Sequence, residues 1–496
     1  MNTLGLDIGT SGCKAVVFDS TGRPLASAKR AYALRFTPDG GAELDPREVL
    51  ALSLEVIAET AGQAGGVAAI GISSQGEAFT AVNAKGDSLC PAMVSSDGRA
   101  TPFLAPFLES FGRDRLYEIT GHTAHPMFTL FKMLWLRHTN PAVWRHASRF
   151  LCFEDLLCAR LGVEPAMGWP LAARTMLFDV RQQRWSAEIL AELDLTESHL
   201  ARPLPSGSVA GTIPASICSS LRLEPGCIVV AGGHDQPCAA LGAGVTQPGT
   251  AMYATGTVEC ICPAFGQPVL GEALREANLC TYNFSLPELF TTVAFSLTGG
   301  NILQWFRDEF GQAEIAAAAT GDTDVYELLL RCATSTPSPL LVLPYFTPSG
   351  TPFFDPSTRG AILGLRLSST RGEILRALLE GVAFEMRLNL EILASVGCEI
   401  HELRVVGGGA KSAFWNQLKA DVLDRPVATI DCDEAGCLGV ALLARSALTG
   451  ESAAELSPRW TKIANRYLPN SAQAEAYDRK FEAYCGLYPA LSRLRV

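Results

Sequence analysis

Two stretches of this sequence follow one local plan. Leu4–Asp19 reads LGLDIGTSGCKAVVFD, and Thr250–Ala264 reads TAMYATGTVECICPA. In each, a run of alternating apolar residues reaches a turn of glycine and hydroxyl residues, and a second strand-like run follows. Such alternation either side of a short glycine break predicts a β-hairpin. A tight turn needs one or two glycines, whereas the first tip also carries Asp7, Thr10, Ser11 and Lys14. Two readings of that surplus stand. It is a polar hairpin tip, or a phosphate cradle in which amides and hydroxyls donate to oxygens while an acid holds a cation.

A second pair of segments extends the pattern. Cys227–Asp235 (CIVVAGGHD) and Leu403–Ala410 (LRVVGGGA) each run a β-branched strand into glycines ahead of a helix. Hairpin then glycine turn, twice over, predicts two related halves; two unrelated domains that share glycine turns remain the alternative. With Gly232 and Gly407 as counterparts, the first half is the longer and holds an insertion, expected at about residues 100–190. Strands mixed with long helices such as Arg371–Ser395 make the chain α/β. Val245–Gly249 (VTQPG) marks a boundary, giving expected domains 1–247 and 248–496 around a central cleft.

At 496 residues the chain exceeds one core. Its net charge of −11 lacks the basic footprint of a nucleic-acid or anionic-membrane partner. No apolar run reaches spanning length and no signal-peptide pattern opens the chain, so a cytoplasmic protein is expected. The 15 cysteines, an odd count without a CxxC pair, read as buried thiols rather than zinc ligands.

Two nucleotide motifs fail on these residues. Ala410 occupies the glycine that a P-loop requires before Lys411-Ser412. Gly407, Gly409 and Ser412, with Asp431 further on, nearly spell a dinucleotide fingerprint, but leave both hairpins unexplained. Two hairpins gripping one phosphate tail from opposite sides use every copy of the repeat. A dehydrogenase built on the Gly407 turn and a non-catalytic ATP-binding protein are the competing readings.

At this point the chain resembles the FGGY carbohydrate kinases, relatives of glycerol kinase and xylulokinase. His125–Thr139 (HPMFTLFKMLWLRHT) is similar to the family's first signature through Phe128, Lys132, Trp135 and Leu136. Gly360–Glu380 (GAILGLRLSSTRGEILRALLE) is similar to the second through Gly360, Gly364, Leu365, Glu373, Ala377 and Glu380, with Leu378 departing. Either segment can be purely architectural. The resemblance covers nearly the whole chain. It implies two ribonuclease-H-like domains of the actin and hexokinase type, the first binding sugar and the second nucleotide.

The resemblance also implies an ATP-dependent phosphotransfer to a sugar or polyol hydroxyl, with magnesium, and leaves room for a homodimer. Asp235 stands where these kinases keep the general base; the residue's own alternative is an N-cap for a helix at Gln236–Ala243. Thr10, Ser11 and Lys14 would address the phosphates from one side, Gly256 and Thr257 from the other. Asp7, with Asp235, would hold magnesium. Gly408, Gly409 and Ala410 resemble the adenosine-facing turn, followed by Asn416. Gly71–Glu77 (GISSQGE) lines up with the acceptor segment, so Gln75, Glu77, Asp97, Asp235 and Gln236 are the implied acceptor residues. Asp97 has a second reading, an ion pair with Arg99. Two positions depart from the family: Ser95 replaces a tryptophan, and Gly168 stands in an acid's place. An altered acceptor pocket is therefore expected, with Trp169 and His234 available to refill it.

Overall fold

The computed structural model describes residues 1–493. Two 6-stranded sheets carry the molecule. The first comprises β1 (Thr3–Ile8), β2 (Gly12–Phe18), β3 (Pro24–Ala31), β4 (Ala69–Ser74), β5 (Val209–Thr212) and β6 (Ile228–His234). The second comprises β7 (Thr250–Thr255), β8 (Glu259–Pro263), β9 (Ala294–Ser296), β10 (Glu402–Val406), β11 (Val427–Ile430) and β12 (Ile463–Tyr467). Across the sheets the orders are β3-β2-β1-β4-β6-β5 and β9-β8-β7-β10-β11-β12. Both therefore run an antiparallel meander, then two parallel strands, then an antiparallel edge strand. Both expected hairpins are present, as β1–β2 and β7–β8.

The sheets correct the pairing of glycine segments. β10 lies beside β7 as β4 lies beside β1, so Leu403–Ala410 matches Ala69–Glu77, and β6 matches β11. The glycines misled because each answers a local crowding. A Cβ at Gly232 would stand 2.0 Å from Ile72 O, and one at Gly407 2.7 Å from Thr255 O, with a φ of +89° besides. Glycine there records close approach and turn geometry, not a place in the repeat. The added chain accordingly enters at different points: between β4 and β6 in the first half, between β9 and β10 in the second.

Helices complete the layers. α1 (Pro46–Ala64) covers β2 and β3; Asp45 caps it by accepting from Arg47 N, proline occupies the first turn, and Gly65 closes it in the left-handed region. The first insertion holds α2 (Thr129–Thr139), α3 (Phe153–Arg160) and α4 (Trp169–Arg174), beside a small 5-stranded sheet that includes Phe79–Val82 and Arg149–Cys152. α5 (Asp235–Gly242) follows β6 directly. α6 (Arg371–Ser395) has the expected bounds, because Thr370 and Glu373 form a capping box at its start. α7 (Ala413–Leu423) follows β10, and α8 (Ala435–Thr449) follows β11.

The last of these crosses over. α8 belongs by chain order to the second half yet packs on β1 and β4 of the first sheet, while α5 reaches β7 and β8 of the second. The two helices cross where a Cβ at Gly242 would lie 1.9 Å from Ala435 O, and one at Gly439 1.9 Å from Cys238 O. Leu241, Leu438 and Val440 join Met252 and Cys262 in one buried cluster between the halves. Among the described residues no helix is long and apolar enough to cross a membrane.

Candidate active site

The first hairpin tip is braced from β4. Gln75 donates from Nε2 to Gly9 O at 3.0 Å and accepts from Thr10 Oγ1 at 3.1 Å. Its side chain is thus spent on the tip, which corrects the expectation that it meets an acceptor; an amide this buried binds the nearest backbone rather than waiting for a ligand. Thr10 and Ser11 stand exposed beyond it. Lys14 pairs with Glu434, at the start of α8, at 2.5 Å. Asp7 accepts from Ser73 Oγ at 2.7 Å, and burial raises its pKa.

Asp235 opens α5 as its first residue, with His234 in the cap position. The N-cap alternative for Asp235 therefore falls. Its side chain is 31% exposed, and Oδ1 lies 3.1 Å from His234 Nε2. Burial of its surroundings and the negative charges of Asp7 and Glu77 push its pKa up to about 7. Gln236 accepts from Cys260 Sγ at 2.9 Å, tying the start of α5 to β8.

Glu77 sits in the left-handed region (φ 62°) and is 2% exposed. Its carboxylate takes a buried ion pair from Arg174 of α4 and a 2.7 Å hydrogen bond from Ser95 Oγ. Its carbonyl accepts from Thr129 Oγ1 and from Lys132 Nζ, each at 2.8 Å. Lys132 donates as well to Met93 O and Val94 O, and burial lowers its pKa to about 8. The first signature segment is thus a clamp on the strained Glu77 turn. The serine that replaces tryptophan belongs to the same clamp. Phe128 and Tyr282 flank the Arg174 guanidinium at 4.9 and 5.8 Å.

Asp97 is a correction. Its carboxylate takes Arg99 Nε at 3.1 Å and Nη2 at 2.6 Å, plus Ala42 N at 3.1 Å, and its side chain is fully buried. The ion-pair reading holds; no lone pair is left over for an acceptor. Gly168 also receives a structural account. A Cβ there would stand 2.5 Å from Gly232 O. Wholly buried Glu154 lies behind it, accepting from Gly168 N at 3.0 Å and Gly232 N at 2.9 Å, with its pKa raised by burial to about 8. Trp169 is half-buried against the first core.

In the second half a cavity of about 1080 Å³ opens beside the β7–β8 tip and the β10–α7 turn. It brings together Gly256, Thr257, Gly408 and Gly409, with Phe414 and Trp415 as apolar walls. A Cβ at Gly408 would meet nothing within 4 Å, so that glycine faces open space; one at Gly409 would strike Thr255. Asn416 is corrected: it is wholly buried behind the turn and donates to Ala410 O at 2.8 Å, holding the turn rather than lining the cavity. Beneath the tip, buried Lys419 pairs with Glu259 at 2.7 Å and donates to Thr255 Oγ1. Sequence reasoning missed Lys419, Glu154 and Arg174. Each has a partner far along the chain, which no local pattern signals.

Among the described residues no group of three metal-ligating side chains gathers. The negative charge of Asp7 nonetheless raises the pKa of Asp235, a burden that a divalent cation relieves. Magnesium takes one or two carboxylates plus phosphate oxygens, so these two residues fit it.

Comparison with known proteins agrees with this geometry. Residues 2–242 match the model for the N-terminal domain of the FGGY family of carbohydrate kinases, and residues 251–448 that for its C-terminal domain. A xylulose kinase of Bacillus subtilis is 26% identical over 493 residues, covering 98% of this chain and 96% of the relative. A glycerol kinase of Methylibium petroleiphilum is 31% identical, with 96% of each chain covered. A crystal structure described as a xyloylose kinase from Brucella ovis superposes with a TM-score of 0.91 at 27% identity, covering 100% of both chains.

Proposed function

Because the chain belongs to the FGGY family of carbohydrate kinases, an ATP-dependent phosphotransferase family with alcohol acceptors, we propose that its acceptor is an open-chain ketose or alditol and that Asp235 is the general base. The observation that carries this reading is the placement of Asp235. It is partly exposed at the junction of β6 and α5, and Asp7 and Glu77 are the two charges that most raise its pKa. Those residues stand at the first hairpin and at the acceptor turn, so the base lies between the two substrates.

In this mechanism Asp235 takes the proton of the acceptor hydroxyl as its oxygen forms a bond to the γ-phosphorus. The bond from that phosphorus to the bridging oxygen breaks, and ADP leaves. A pKa near 7 suits a base that must be ionised yet still accept a proton. Thr10 and Ser11 donate hydroxyls to the phosphates from the first tip, with Lys14 adding charge, and Gly256 with Thr257 present the second tip. Adenosine occupies the cavity at Gly408–Gly409, between Phe414 and Trp415. The nucleotide thus belongs to 248–496 and the acceptor to 1–247. Asp7 and Asp235 would hold magnesium, which neutralises charge on the transferring phosphoryl group when bound.

The acceptor reading rests on which polar groups stay available. With Gln75 and Asp97 engaged elsewhere, Asp235 and Gln236 remain to meet hydroxyls, and the Glu77–Arg174 pair, with Ser95 on it in place of a stacking ring, forms the polar wall behind them. That set suits a flexible polyol chain. Its relatives named for xylulose and glycerol bracket the same chemistry. The test is kcat/KM by ADP release across xylulose, glycerol and C4–C6 alditols and ketoses. A longer acyclic alditol or another ketose is expected to lead; xylulose leading by about tenfold overturns the acceptor reading. Asp235→Asn is expected to lose at least about a hundredfold in kcat with the KM for ATP near wild type.

A further inference from the structure

The acceptor turn reads Gln75-Gly76-Glu77, with no side chain at its centre. The space beside Gly76 is filled from another strand. A Cβ at Gly76 would stand 3.0 Å from both Cδ2 and Nε2 of His234, the residue that ends β6 and caps α5. His234 is 6% exposed, and both of its ring nitrogens are engaged: Nδ1 lies 2.9 Å from Tyr282 Oη and Nε2 lies 3.1 Å from Asp235 Oδ1. Tyr282 is itself wholly buried and comes from the second half, between β8 and β9, where the neighbouring Thr281 N donates to Gly121 O of the first.

We propose that His234 is a positioning residue, which Tyr282 holds by a hydrogen bond at Nδ1 and which fixes the carboxylate of Asp235 through the 3.1 Å contact of Nε2 with Oδ1. The proposal rests on the assignment of Asp235 as base. The imidazole is buried between Tyr282 and the Gly76 turn. A neutral ring donates from one nitrogen and accepts at the other. A tyrosine hydroxyl donating to Nδ1 leaves the hydrogen on Nε2, the nitrogen 3.1 Å from Oδ1. Oδ1 is then occupied, the rotation of the carboxylate is stopped, and Oδ2 remains to take the acceptor's proton. A Cβ at Gly76 would crowd the ring by a few tenths of an ångström, so glycine there leaves His234 its place beside Asp235.

The test measures kcat, both KM values and melting temperature for four variants, with the best acceptor of the panel. His234→Phe keeps a ring and removes both nitrogens, and is expected to lower kcat by at least about tenfold with the KM for ATP within about twofold. His234→Gln places an amide N–H near Nε2 and is expected to recover to within about threefold of wild type. Tyr282→Phe frees the tautomer and is expected to lower kcat by about three- to tenfold with little change in melting temperature. Asp235→Asn separates the two readings. If it retains wild-type kcat, the base assignment itself fails. If it loses activity while His234→Phe does not, the base stands and the positioning role is overturned. Equal losses in His234→Phe and His234→Gln overturn it too. Should His234→Phe not fold, unchanged kcat in Tyr282→Phe overturns the proposal, and a lowered kcat at unchanged melting temperature supports it.

Discussion

The two halves draw the same sheet and end its central strands differently. In the first, β4 hands the chain to Gln75 and Glu77, both engaged with their surroundings; in the second, β10 hands it to three bare glycines, Gly407–Gly409. One end holds oriented polar groups, as the proposed acceptor site requires, and the other leaves empty space, as the proposed adenosine site requires. The next strands contrast in charge. β6 leads to Asp235, whose carboxylate has no cation bonded to it among the described residues, and β11 leads to Glu434, which Lys14 neutralises. A shared topology thus supplies two equivalent ledges, and side chains alone decide which ledge does chemistry.

Substitutions at the fourth-strand ends test this division most severely. Glu77→Gln strips the buried Arg174 of its carboxylate and is expected to raise the acceptor KM by at least about tenfold, with a stability loss approaching ~3–5 kcal/mol. Gly408→Leu is expected to raise the KM for ATP by about tenfold while the melting temperature and acceptor KM hold, since its Cβ meets nothing within 4 Å. A large effect of Gly408→Leu on the acceptor KM would break the comparison.

A smaller effect separates the halves by pH. Burial raises Glu154 in the first half to about 8 and Glu385 in the second to about 7. Each acid keeps in the fold a proton that the unfolded chain has released above about pH 5, so stability falls as pH rises from there through the folded pKa values. His122 and His125, lowered by burial to about 3 and about 4, act oppositely and lose stability below about pH 6.5. Melting temperatures from pH 5 to 9 are expected to fall toward the alkaline end by about 2–5 °C. Glu154→Gln should flatten that slope near pH 8 and Glu385→Gln near pH 7; a slope unchanged in both sinks the assignment.

The least effect is expected at Glu434. Its pair with Lys14 leaves about a third of each side chain in solvent, 34% and 32%. Glu434→Gln is therefore expected to change stability by under about 1 kcal/mol and kcat by under about threefold. A loss near that of Asp235→Asn would mean that both ledges are chemical.

The sequence carried the hairpins, the bounds of α6 and the glycine turn that lines the second-half cavity, because alternation, capping boxes and glycine turns are local signals. It misplaced what depends on distant partners. The amide of Gln75 is spent on a tip 65 positions away. Glu77 pairs with Arg174 from 97 positions away, and no spacing rule connects them. Asp97 was legible in part, since Arg99 two positions on named its partner. The order of repeat elements slipped by a strand because glycine marks crowding wherever it occurs, and both β6 and β10 end in crowded places.

The exchange of α5 and α8 has a consequence for any attempt to take the molecule apart. A chain severed between Val245 and Gly249 would yield one piece whose sheet has lost the helix lying on β1 and β4, and another that carries that helix with nothing beneath it. Each fragment would expose the face its counterpart was built to cover, and Leu438 and Val440 would pass from a shared interior into water. The halves are thus reciprocal lids, and neither is a module that evolution or an engineer can transplant alone. Continuity of the chain keeps the two at high effective concentration, so that assembling the molecule stays an intramolecular event.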